Sequence, residues 1–78
     1  MVKDLTEHNV RAESINLTER EKEILKCIIK GYTNPQIAKK FNIAVATVKA
    51  HVSAIIKKFQ VANRIEVVAF AIKNNIVN

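Results

Sequence analysis

The stretch NPQIAKKFNIAVATVKAHV, residues 34–52, carries two helical patterns separated by too few residues for anything but a turn. Asn34 followed by Pro35 reads as an N-cap with proline at the first helical position, where its missing N–H costs nothing. A short helix over 35–41 follows, with Ile37, Ala38 and Phe41 inward and Lys39 and Lys40 outward. After the turn NIAV, the run ATVKAHVSAIIKKF (46–59) sets Val48, Val52, Ile55 and Phe59 on one stripe. Two helices joined by a tight turn make a helix-turn-helix unit.

The flanking segments supply the rest of an all-α domain. In LTEREKEILKCIIKG (17–31), Thr18 and Glu21 have the spacing of a capping box, so a helix starts at Glu19. Ile24, Leu25, Ile28 and Ile29 recur at helical spacing, and Gly31 stands where a left-handed C-terminal cap is wanted. The run VVAFAI (67–72) is continuously apolar, a pattern that a buried strand also allows. The cap spacing of Asn63 and Glu66, Ala69 and Ala71, and a terminating Asn75 favour a helix. Residues 1–16 have no strong periodicity and read as an N-terminal arm or linker ahead of a domain over 17–78.

A chain of 78 residues supports one small core and no large substrate cleft. One cysteine, Cys27, excludes an internal disulfide, and no zinc constellation accompanies it, so no metal and no cofactor is expected. Cys27 reads as a small core residue within an apolar helix. His51 has neither a nucleophile nor a second ligand beside it, which argues against an enzyme. No stretch approaches the roughly 18 apolar residues of a membrane span, and the start carries acids where a signal peptide is apolar. A cytoplasmic protein with no membrane partner is the expectation.

The net charge is +6, and its distribution says more than its size. No acidic residue occurs between Glu23 and Glu66, an interval that holds Lys26, Lys30, Lys39, Lys40, Lys49, Lys57, Lys58 and Arg64. Such a one-signed stretch suits a polyanion, nucleic acid ahead of anionic membrane. Lys22, Lys26 and Lys30 interleave with glutamates and suit a solvated helix face. On the third helix, the face opposite the apolar stripe holds Ala46, Ala50, Ser53, Ala54 and Lys57, flanked by Thr47 and Lys49. Small residues let a helix sink into a major groove about 12 Å wide, while lysines at its edges reach phosphates or guanine.

The sequence over 17–77 resembles the LuxR/FixJ-type (GerE-like) helix-turn-helix domain of bacterial transcription regulators. The likeness is carried by Leu17-Thr18 with Arg20-Glu21, Gly31 with Thr33-Asn34, Ile37-Ala38, Thr47-Val48-Lys49, His51-Val52, Lys58, Val61 and Arg64. It implies a four-helix fold and sequence-specific binding of double-stranded DNA. It further implies base contacts at Lys49, Ala50 and Ser53, with phosphates held by Thr33, Asn34, Thr47, Lys57 and Lys58. The chain departs from the family at Ala44, where a serine cap is usual, at Gln60, where glycine is usual, and at Asn75, again in place of glycine.

Helix four has too many apolar residues for one buried stripe. Val67, Val68 and Ala71 form an arc that closes the core, whereas Ile65, Ala69, Ile72 and Ile76 form a second arc for a homodimer contact. The resemblance points the same way, since the fourth helix is the usual dimer contact there; two-fold pairing predicts an imperfect palindrome, the small contact predicts a weak dimer, and RNA polymerase is a further expected partner. Two regulator types fit: the output domain of a two-component response regulator, or a small stand-alone regulator. The rival from another class is a helix-turn-helix protein-interaction or antagonist module without specific DNA binding.

Overall fold

The computed structural model describes residues 15–76, so residues 1–14 of the expected arm lie outside the described residues. Helix α1 spans Glu19–Ile29, α2 Asn34–Phe41, α3 Val45–Phe59 and α4 Arg64–Lys73, and no strand occurs among the described residues. The all-α, four-helix expectation holds. The apolar run 67–72 lies within α4.

Each helix begins and ends for a local reason. The Thr18 hydroxyl accepts from the Glu21 N–H at 3.1 Å, and the Glu21 carboxylate accepts from the Thr18 N–H at 3.0 Å. This reciprocal pair satisfies two donors that the first turn of α1 leaves free. The helix stops at Gly31, where φ is +91° and the Gly31 and Tyr32 N–H groups bond the Ile28 and Cys27 carbonyls at 3.0 Å.

At α2 the cap differs from the expected one. Thr33, not Asn34, is the N-cap: its hydroxyl accepts from the Gln36 N–H while the Gln36 side chain accepts from the Thr33 N–H at 2.8 Å. Two satisfied donors outweigh the single bond an Asn34 cap would make, and Pro35 still falls in the first turn.

Among the described residues, three non-glycine residues have left-handed backbone, and each stands at the end of a helix. Asn42 closes α2 and Asn75 follows α4, both at a residue type that tolerates this conformation. Gln60, with φ +56°, closes α3 where the resembling family has glycine. Ala44 caps α3 with no side-chain hydrogen bond, as its missing hydroxyl dictates. Beyond Asn75 the chain folds back, so Ile76, expected on the outer arc of α4, packs against the core instead.

The core is built around α3, which packs against each of the other helices. Ile24 and Leu25 of α1, Ile37 of α2, Val48, Ile55 and Phe59 of α3 and Val67 of α4 are fully buried, with Cys27 and Ala71 beside them. Phe70 of α4 lies with its ring 4.9 Å from that of Phe59. Ile15 and Leu17 also touch this core, so the chain is attached to the domain before α1 begins.

Candidate nucleic-acid interface

Burying Val48, Val52, Ile55 and Phe59 turns the opposite face of α3 outward by simple helical geometry. Ala46, Thr47, Lys49, Ala50, Ser53 and Lys57 are all exposed there, and Ala54 is half-buried at the edge. The expected base-reading residues Lys49, Ala50 and Ser53 therefore share one solvent-facing arc with Thr47 and Lys57. Neither Lys49 nor Lys57 forms an ion pair among the described residues. With no acid in α2 or α3, this face is uniformly attractive to an anion.

A second group lies at the N-terminus of α2. Thr33 is exposed and Asn34 half-buried. The Asn34 side-chain oxygen accepts a hydrogen bond from the Arg64 guanidinium, which also donates to the Tyr32 carbonyl at 2.6 Å. Lys39 and Lys40 stand outward at the other end of α2, where positive charge offsets the helix dipole. They line a shallow open cleft with Tyr32 and Gln36.

Lys58 is the one expected phosphate contact that the structure places elsewhere. Its ammonium donates to a Glu21 carboxylate oxygen at 2.7 Å and to the Asn16 carbonyl at 3.0 Å. It sits about 100° around α3 from Lys57, on the side that meets α1. Glu21 is buried, so its negative charge requires this partner, and Lys58 is engaged on the α1 side of α3 rather than on its exposed arc. Burial pushes the Glu21 carboxyl up. The Lys58 hydrogen bond, the Thr18 N–H and the charges of Lys58 and His51 outweigh that and hold it below its ordinary 4.5.

Helical periodicity carries no signal for the contacts of Lys58 and Arg64. Each joins residues 30 or more positions apart, beyond the reach of helical periodicity. The Thr33 cap did leave a signal, since Thr33 and Gln36 have capping-box spacing.

The arrangement so described has close counterparts. A sequence model of the family described as "Bacterial regulatory proteins, luxR family" matches residues 15–71. The chain belongs to the LuxR family of bacterial regulatory proteins. As a LuxR-family domain it is 48% identical over 61 residues to the response regulator protein VraR of Staphylococcus aureus, and equally so to VraR of Staphylococcus saprophyticus. The match covers 78% of this chain and 29% of each of those proteins, so the chain spans under a third of their length. A solved structure, that of the response regulator ChrA of a heme-sensing two-component system, superposes with a TM-score of 0.75 at 37% identity. That match covers 80% of this chain and 31% of ChrA. The α2–α3 pair is thus the helix-turn-helix of a DNA-binding LuxR-family regulatory domain.

Proposed function

We propose that α3 enters the DNA major groove, with Lys49 and Ser53 hydrogen-bonding base edges and Ala50 touching a thymine methyl. The observation that carries this reading is the exposed, acid-free arc on α3 of small residues and of lysines with no ion pair among the described residues. Thr47 and Lys57 on the same helix, and Thr33 and Asn34 at the start of α2, hold phosphates on either side. No metal or cofactor enters this chemistry, because groove and phosphate recognition need only donors and cations.

The domain acts as the output piece of a two-component response regulator or as a small stand-alone regulator. The named relatives VraR and ChrA favour the former. Dimers form through Ile65, Ala69 and Ile72 on α4 and read an imperfect palindrome, with RNA polymerase contacted at the promoter. Lys57 is the one cation in this phosphate set, so its two copies give log K against log salt for a bound dimer a slope of roughly −2, and any further lysine held against a phosphate steepens it. A slope near zero contradicts the reading and favours an interaction module docking through the exposed Ile65 and Ile72.

A further inference from the structure

Arg64 opens α4, yet both of its hydrogen bonds reach back to the turn before α2. One guanidinium nitrogen donates to the Tyr32 carbonyl at 2.6 Å and the other to the Asn34 side-chain oxygen. No carboxylate among the described residues pairs with this half-buried side chain. Its positive charge is therefore held at the start of α2 rather than cancelled.

A guanidinium only donates, so the atom of the Asn34 amide that it meets is the oxygen. That bond orients the amide and leaves its NH2 group directed away from Arg64. The remaining donors of the first turn can be followed one at a time. The Thr33 N–H goes to Gln36 at 2.8 Å, the Gln36 N–H to the Thr33 hydroxyl oxygen at 3.3 Å, and the Ile37 N–H to the Thr33 carbonyl at 2.9 Å. Pro35 has no N–H. The Asn34 N–H, the Asn34 NH2 and the Thr33 hydroxyl proton have no acceptor among the described residues. A cluster of donors beside an uncancelled cation suits an acceptor-only group with several oxygens, as in a backbone phosphate.

We infer that Arg64 is a positioning residue for the DNA contact at α2: by holding the Asn34 oxygen it presents the Asn34 NH2 group to a phosphate. The inference rests on the DNA-binding reading and adds a residue to it. The same two bonds tie the first turn of α4 to the phosphate-facing end of α2, so the helix bearing Ile65 and Ile72 is joined to the grip on DNA.

The test is a double-mutant cycle of Arg64→Lys and Asn34→Ala in the 78-residue chain, read by anisotropy of a labelled mixed-sequence duplex at low salt. Lysine keeps the charge but lacks the rigid fork that spans two acceptors. Each single variant weakens binding about three- to tenfold, and the double variant binds no more weakly than Asn34→Ala alone. In NMR spectra of the wild-type chain, the Asn34 side-chain NH2 signals shift on adding the duplex, and in Arg64→Lys they do not. An equal loss from Arg64→Lys in the Asn34→Ala background overturns the inference, because Arg64 then touches DNA itself. Unweakened binding by a folded Arg64→Lys variant also overturns it, leaving Arg64 a purely structural clamp. Should Arg64→Lys fail to fold, the wild-type spectrum decides, and Asn34 NH2 signals unmoved by saturating duplex overturn the inference. Wild-type binding that ignores salt refutes the DNA-binding reading first and the inference with it, so the two failures are distinct.

Discussion

Lys57 and Lys58 are adjacent in the chain, but the helix turns them about 100° apart and so gives them different partners. Lys57 stands on the exposed arc, while Lys58 neutralises buried Glu21. Lys57→Ala should weaken binding to all duplexes alike and flatten the salt slope by about one per bound subunit, whereas Lys49→Ala should cost about 1–3 kcal/mol on the preferred site. Titrations of both variants against preferred and mixed-sequence DNA separate the two effects. Lys58→Met should instead lower stability by about 1–2 kcal/mol, since it strips a charged hydrogen bond from Glu21. The low end of that range applies because the Lys58 side chain remains 36% exposed. Glu21 also sets a pH dependence. Its folded carboxyl titrates below the ordinary 4.5, so its contribution is fully present above that value and is lost as pH falls through the folded pKa. Thermal melts of Glu21→Gln should lose part of the wild-type decline in stability below about pH 4.5.

Among the elements, α3 is the least well finished at its ends. Ala44 supplies no cap, and Gln60 adopts the left-handed backbone without the freedom of glycine. Ala44→Ser should add about 1 kcal/mol, and Gln60→Gly up to about 1 kcal/mol, both measurable by denaturant midpoint at unchanged m-value. Ile55→Ala, by contrast, should cost about 2–5 kcal/mol, because Ile55 is fully buried at the centre of the core. The helices themselves were legible because caps, stops and stripes are local: Thr18 with Glu21, Gly31, Asn75 and the Val48–Phe59 stripe can all be read within a few residues. The α2 cap lies one residue before the one that Asn34-Pro35 predicts, because Asn34-Pro35 and Thr33-x-x-Gln36 are both valid start signals and only the reciprocal bonds choose between them. The candidate site was legible as a face of α3. What the side chains of Lys58 and Arg64 meet across the fold is set by how α1, α2 and α4 pack, which no local pattern encodes.

For the whole molecule, an outward apolar face remains on α4 after the core is closed. Ile65 is 79% and Ile72 64% exposed, with Ala69 also exposed, while Val67 and Ala71 are buried beneath them. Ile72→Glu places a charge on that face without touching the core. It should leave the melting temperature nearly unchanged and abolish cooperative occupation of a palindrome, as followed by mobility shift on one and two half-sites. Retained cooperativity would place the dimer contact elsewhere. The central claim is that α3 reads bases in the major groove, and selection of binding sites from a random duplex pool by the wild-type chain and Lys49→Ala tests it most directly. The wild type should enrich inverted half-sites about one helical turn apart, and Lys49→Ala should lose preference at one position within each half-site while keeping the rest. A pool that enriches no sequence, or a Lys49→Ala preference identical to the wild type, would contradict the claim.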